Sequence, residues 1–266
     1  MKTLHQQIIC LIVFGLFNVA FADTIAVENF EFYSIGMQLG AGGGDGGTGW
    51  SGIWGNNSGG PSANDIYVRD GADYGTFGKI MMVNGISSDS AWLSRRFAVG
   101  SLGSVPGQIV YLAFRAKNTN GGNREAGFRL MKDGDTQLIL GQTAGQTSWR
   151  LWDVAEGAQN SNLPTTAESL IILKIELSGD SQGDTVTFWI NPGLQTEEGE
   201  NTPQKGQSFT SSNDLDAVTA VRFGTNGASS YGDDAKFWFD DIRIGTAWED
   251  VVGRRPSLKL VILSSM

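Results

Sequence analysis

Hydrophobic and polar residues alternate along much of this chain with a period of two. Between residues 109 and 117, Val110, Leu112, Phe114 and Ala116 fall on one side and Ile109, Tyr111, Ala113, Arg115 and Lys117 on the other. That is the pattern of a strand with one buried face. The split recurs: Ala126, Phe128 and Leu130 oppose Arg129; Trp149 and Leu151 oppose Arg150 and Trp152; Ile171, Leu173, Ile175 and Leu177 oppose Lys174 and Glu176; Val186, Phe188 and Ile190 oppose Thr187 and Trp189. Further strand-like runs lie at Thr24 to Phe32, Lys79 to Val83, Trp92 to Val99, Thr136 to Leu140, Ala217 to Phe223 and Ala235 to Ile244, mostly bounded by Gly, Asn, Asp or Pro. Asp133-Gly134 between two apolar runs predicts a tight hairpin, since both central residues of that turn need positive φ. No amphipathic helix of three turns is present, and short helical turns are expected at Thr165 to Ser169 and Thr246 to Val251. Many short strands with Gly-rich turns and no βαβ alternation predict an all-β chain, a two-sheet antiparallel sandwich.

One segment invites a different reading. Gly47-Thr48-Gly49-Trp50-Ser51-Gly52 satisfies the dinucleotide pattern G-x-G-x-x-G, which has meaning only between a strand and a helix. The next residues are Ile53-Trp54-Gly55-Asn56-Asn57-Ser58-Gly59-Gly60, and each glycine costs a helix about 1 kcal/mol against alanine. The segment therefore reads as a compact loop after the first strand, with a tryptophan docked on the sandwich.

Charge and the chain ends narrow the chemistry. Lys2, the apolar run from Ile8 to Phe17 and Ala20-Phe21-Ala22 succeed one another in the order of a secretory signal peptide. The expected organisation is a signal peptide over 1–22, one sandwich domain over 23–252 and a tail over 253–266, in a secreted or cell-surface protein without a transmembrane span in its mature chain. Cleavage after Ala22 would remove the only histidine, His5, and the only cysteine, Cys10. That excludes a Ser-His-Asp triad, a histidine-zinc centre and a thiol nucleophile. With 19 basic against 28 acidic residues and a net charge of −9, electrostatic nucleic-acid binding is not expected.

Glu28-Asn29-Phe30-Glu31-Phe32-Tyr33, then Gly46-Gly47-Thr48-Gly49-Trp50-Ser51-Gly52-Ile53-Trp54, Leu173-Lys174-Ile175-Glu176, Val186 to Pro192 and Phe239-Asp240-Asp241-Ile242-Arg243-Ile244-Gly245-Thr246-Ala247-Trp248 resemble secreted bacterial proteins with a concanavalin A-like, laminin-G-like jelly roll. Those proteins often end in a PEP-type sorting signal; the tail from Gly253 to Met266 lacks Val-Pro-Glu-Pro and a full membrane span. The resemblance implies the jelly-roll fold and a class that includes lectins, glucanases and adhesion modules, among which fold alone does not choose.

Hydrolysis in this class would need paired carboxylates, which glucanases of the fold carry as Glu-x-Asp-x-Glu on one strand face. No strand here has that pattern, so the chain is read as non-catalytic. If the outward-facing strands are neighbours in one curved sheet, its outer or concave face presents Tyr111, Trp152 and Trp189 among Arg115, Arg129, Arg150, Lys174 and Glu176. Rings to stack on pyranoses beside polar groups for the hydroxyls are what a sugar site requires. The same side chains could equally form an exposed cross-strand ladder. Asp233, Asp234 and Asp240 offer oxygens for calcium, or they form a solvated turn and an acceptor for backbone amides. The sequence reading is thus a lectin-like module binding a polysaccharide or cell-surface glycan, with calcium as its candidate cofactor. Its alternatives are a glycoside hydrolase or polysaccharide lyase with an atypical site, and a matrix or adhesion module without a sugar site.

Overall fold

The structure, a computed structural model, describes residues 24–40, 44–55, 66–76, 78–84, 91–103, 107–119, 121–122, 125–153, 157–179, 183–194, 197–203, 209–211, 213–225 and 236–252. The proposed signal peptide and tail, and the candidate metal ligands Asp233 and Asp234, lie outside them. In chain order the strands are β1 (Thr24–Glu28), β2 (Trp50–Gly55), β3 (Ile66–Asp70), β4 (Lys79–Asn84), β5 (Ala91–Phe97), β6 (Ile109–Asn118), β7 (Ala126–Lys132), β8 (Asp135–Gln142), β9 (Ser148–Asp153), β10 (Gly157–Pro164), β11 (Ser169–Glu176), β12 (Asp184–Ile190), β13 (Phe209–Ser211), β14 (Ala220–Thr225) and β15 (Lys236–Gly245), with helix α1 (Trp248–Val252) after them. One sheet has the order β13-β12-β11-β6-β15-β4-β3, with β1 also paired to β15; the other runs β10-β9-β8-β7-β14-β5-β2. The fold is the expected all-β antiparallel jelly-roll sandwich.

The alternation seen in the sequence is what closes the two sheets on each other. Val110, Leu112, Phe114 and Ala116 of β6, with Ile171, Leu173 and Ile175 of β11 and Val186, Phe188 and Ile190 of β12, point inward from the first sheet. Phe128 and Leu130 of β7, Trp149 and Leu151 of β9 and Phe223 of β14 meet them from the second. Phe223 sits 5.1 Å from Phe128 and 5.0 Å from Phe239 between ring centroids, so rings from both sheets interlock at the centre.

The Gly-rich segment forms part of this frame. Thr48 and Val27 exchange backbone hydrogen bonds of 2.9 and 3.0 Å, and Gly49 has φ +78, where an added Cβ would lie 1.8 Å from the Ile25 carbonyl oxygen. The chain then continues as β2, a strand that glycine had disguised as loop. Trp54 is buried in the core, and the half-buried Trp50 donates its indole N–H to the Val27 carbonyl at 3.0 Å. Between them lies Arg95 of β5, its guanidinium 5.5 and 5.6 Å from the two ring centroids. Arg95 pairs with Glu28 at 2.8 Å, both side chains being at most 2% exposed.

Local expectations fared unevenly. Asp133 and Gly134 take φ 49 and 96, as the hairpin requires. The first strand stops at Glu28 rather than Phe32, because Phe30 turns to φ 57 and donates its amide to the Glu28 carboxylate at 2.9 Å. Thr165 and Thr166 form a turn, and Ser169 already begins β11, so no helix forms there. The expected C-terminal turn is α1, capped by Asp250, which accepts from the amides of Thr246 and Ala247 at 3.1 and 3.0 Å.

Candidate functional site

The eight side chains expected on one face divide between the two sheets. Tyr111, Arg115, Lys174, Glu176 and Trp189 belong to β6, β11 and β12 of the first sheet, whereas Arg129, Arg150 and Trp152 belong to β7 and β9 of the second. Both groups point away from the core, so they face opposite sides of the molecule.

On the first sheet the aromatic part of that outer face is covered. Trp248 of α1 packs edge-on against Trp189 and Tyr111, with centroids 5.2 and 6.2 Å apart, and seals them with Ala113, Ile172 and Val251 into a second, small core. The chain around a 3-10 turn, Glu198–Glu200, closes the edge. Tyr111 donates its hydroxyl to Glu198 at 2.5 Å, Trp189 its indole N–H to the Asn201 carbonyl at 3.2 Å, and Lys174 bridges Glu176 and Glu198 at 3.2 and 3.1 Å. Burial and the neighbouring Glu198 carboxylate push the Tyr111 phenol well above its ordinary pKa, so it remains a donor. Trp189 is 3% exposed and Tyr111 5%, and neither offers a stacking surface.

Further along the same face, Arg115 reaches Glu168 at 3.0 Å and Asp241 at 3.4 Å. These three line a cavity of about 380 Å³ with Gly75, Thr76 and Asp240. Asp241 is the extra residue of a bulge, at φ 50, which leaves Asp240 opposite Arg115 in the ladder. Asp240 is 9% exposed, its Oδ1 takes no hydrogen bond, and its carboxyl is raised to about 8, first by burial and then by the charge of Asp241. Among the described residues no three His, Cys, Asp or Glu side chains gather in a way that could hold a metal ion. Of the proposed calcium ligands the structure describes Asp240, which lies opposite a guanidinium in the ladder.

The second sheet carries the other group on its outer face, where Trp152, Arg129, Arg150 and Arg222 are half-buried and Trp92 and Ile139 are buried. Strand registers place Ala158, Trp152, Ile139, Arg129, Arg222 and Ser94 in one row across six strands. The adjacent row reads Asn160, Arg150, Gly141, Gly127, Gly224 and Trp92. A Cβ on Gly141 would lie 2.7 Å from the Gly127 Cα, and one on Gly224 2.1 Å from the Ala91 carbonyl oxygen, so these strands tolerate no side chain there. The result is a buried strip of backbone without side chains of its own, bounded by Arg150 and Trp92 about 19 Å apart at the usual strand spacing.

The cations along this strip are held in place mostly by neutral partners. Arg129 lies over the Trp92 ring, its guanidinium carbon 3.9 Å from the centroid, and pairs with Glu125. Arg150 donates to Thr143 at 3.2 Å and to Gln146 at 3.1 Å. Trp152 is half-buried. Beyond Arg222 and Ser94 the face opens into a cavity of about 260 Å³ with Arg96 and Asp133 on its walls. A second cavity of about 570 Å³ continues past Arg96 and Thr219 toward Ser51 and Val99. Sequence reasoning missed Arg96 and Arg222. The signal was present in Val221-Arg222-Phe223, which alternates as β6 and β11 do, whereas in Leu93-Ser94-Arg95-Arg96-Phe97 it is broken by the inward-facing charge of Arg95.

Fold and face together define an antiparallel jelly-roll sandwich with one face covered by α1 and the other carrying Arg96, Arg129, Arg150 and Arg222. No protein-family model matches the sequence, and no curated protein matches it. Solved structures that resemble it include an endo-β-1,4-glucuronan lyase from the fungus Trichoderma reesei, at 11% identity and TM-score 0.48, covering 78% of this chain and 96% of that one. The catalytic domain of a glycoside hydrolase family 131 protein from Coprinopsis cinerea matches at 12% identity and TM-score 0.47 over 83% and 93%. Domain 4 of AbnA, an extracellular arabinanase from Geobacillus stearothermophilus solved with arabinotriose, matches at 16% and 0.43 over 85% and 93%. At such identities the likeness is one of fold.

Proposed function

We propose that this protein is a secreted, non-catalytic carbohydrate-binding module whose ligand lies along the outer face of the second sheet. The observation that carries this reading is the half-buried row of Trp152, Arg129 and Arg222 on the outer face of the second sheet, with Arg150 beside it and a cavity at Arg222 and Arg96. A flat, extended ligand with apolar faces and hydroxyl edges fits a face on which an aromatic ring lies beside guanidinium donors. The capped face holds its aromatic residues inside the protein, which leaves Tyr111 and Trp189 a packing role.

The expected result is asymmetric. Trp152→Ala lowers the affinity for a polysaccharide ligand by about ten-fold, on the scale of one lost aromatic contact, while Trp189→Phe leaves the affinity of the folded protein unchanged. Glycan-array binding and then titration calorimetry of both variants measure this, and equal affinities for wild type and Trp152→Ala would remove the outer face of the second sheet as the site. Running the array with and without calcium also tests a calcium ion held by Asp240 with Asp233 and Asp234.

One observation favours a glycan-cleaving enzyme instead: Asp240, with its raised pKa, shares a cavity with Glu168 and Asp241. A buried carboxyl with a raised pKa near a second carboxyl group is the arrangement that acid-base glycosidases use. New reducing ends from a polysaccharide, abolished in Asp240→Asn, would establish that reading.

A further inference from the structure

We infer that the ligand of the second sheet's outer face is an acidic polysaccharide, one whose sugar units carry carboxylates, and that Arg222 and Arg96 select it. This inference rests on that face being the sugar site. Although the chain carries an excess of acidic residues, four arginines share this one face: Arg96, Arg129, Arg150 and Arg222. Arg129 and Arg222 are direct cross-strand neighbours, an arrangement of like charges that destabilises a sheet unless something offsets it. Glu125 offsets Arg129 alone. Among the described residues neither Arg96, Arg150 nor Arg222 makes an ion pair, and the Nε of Arg222 is buried without a hydrogen-bond partner. Burial, and then the charge of Arg129, lower the Arg222 pKa from its ordinary value. The fold therefore holds a partly desolvated guanidinium beside a second one, at the mouth of a cavity, with no carboxylate of its own to satisfy it.

A planar carboxylate meets that need. It can accept two parallel N–H bonds from one guanidinium, and such charge-assisted pairs are among the stronger polar contacts available. Neutral sugars would leave the Arg222 donors facing hydroxyls and the repulsion with Arg129 in place. The cavity beside Arg222 continues past Arg96 into the larger one bounded by Ser51 and Val99. A chain crossing the face from Arg150 would thus pass Arg129, Arg222 and Arg96 in turn, matching a polymer with repeated carboxylates rather than a single terminal acid. Asp133 on the cavity wall is the opposing charge, and it sits at the hairpin tip where a ligand can avoid it. A polyphosphate or nucleic acid would satisfy the guanidinium groups too, and the net charge of −9 weighs on every polyanion alike, so single-stranded DNA is the competing outcome of the test.

The test is a calorimetric titration of the full chain with three probes: oligogalacturonate, a neutral β-glucan oligomer of equal length, and single-stranded DNA. Oligogalacturonate is expected to bind most tightly, to weaken as salt is raised, and to lose about ten-fold or more in affinity in Arg222→Gln, the scale of one charged hydrogen-bond pair. Arg96→Gln, at an exposed position, serves as the second variant and loses a smaller factor. Urea unfolding should show Arg222→Gln at least as stable as wild type, because the repulsion with Arg129 is gone. Equal binding of the neutral oligomer, unchanged by Arg222→Gln, would overturn the acidic selectivity and leave the sugar site standing. Failure of both saccharides would overturn the site itself, and tighter binding of DNA would replace the ligand class.

Discussion

Removing the Glu28 side chain as Glu28→Ala lowers the unfolding free energy by about 3 to 5 kcal/mol, the usual effect of stranding one partner of a buried ion pair. Glu28 lies on the first sheet and Arg95 on the second, so their contact ties the two layers inside the sandwich. The carboxylate also accepts from the Phe30 amide at 2.9 Å, the Tyr33 hydroxyl at 2.7 Å and the Trp54 indole at 3.3 Å. Arg95 in turn donates to the carbonyls of Gly52 and Gly46 at 3.0 and 2.7 Å. Each charge is satisfied by several partners, which is what makes its burial tolerable and its loss expensive. Arg95→Ala should match Glu28→Ala in size, and the double substitution Glu28→Leu with Arg95→Met should cost far less than the two single changes together. Urea unfolding of the four proteins as a double-mutant cycle measures the coupling. Losses below about 1 kcal/mol for both single variants, the range of an exposed pair, would show that water reaches this site.

This pair also explains what the glycines of residues 46–52 are for. The segment does wrap a charged group with its backbone, but the group is the protein's own guanidinium, and carbonyl oxygens rather than amides point at it. A local motif could not reveal that, because Arg95 comes from a distant strand. The division between what was legible and what was not runs along the same line throughout. Alternation is local, so the inward and outward sides of β6, β7, β9, β11 and β12 could be read directly. Which sheet each strand joins depends on contacts far apart in sequence, and this is why Arg129, Arg150 and Trp152 separated from Tyr111 and Trp189. An outward position is also not an exposed one: the five-residue helix α1, folded back onto the sheet, turns Tyr111 and Trp189 into core. That fold-back requires Gly245, where a Cβ would lie 2.4 Å from the Asp250 side chain. Strand β10, Gly-Ala-Gln-Asn-Ser-Asn-Leu-Pro, has no hydrophobic period at all. It is an edge strand held by its backbone pairing to β9, a contribution that side-chain pattern does not record.

Asp240→Asn is expected to make the protein more stable at pH 8 and to change it little near pH 4. The wild-type carboxyl is raised to about 8 in the folded chain by burial, by Asp241 and by Glu31, against the lowering effect of the Asp241 amide and Arg115. In the unfolded chain it returns to about 3.9. Between those values the folded state keeps a proton that the unfolded state releases, so stability is greatest below about pH 4 and declines as pH rises toward 8. The slope has an upper limit of about 1.4 kcal/mol per pH unit for one group, and a total of a few kcal/mol across the window is the expected order. The asparagine cannot titrate, which removes this contribution while leaving the other carboxylates in place; the difference between the two proteins therefore isolates Asp240. Urea unfolding of both from about pH 4.5 to about pH 8.5 should show curves that diverge steadily with pH. Parallel curves would mean that Asp240 is already ionised at low pH, and would withdraw it both as a strained buried acid and as a proton donor in its cavity.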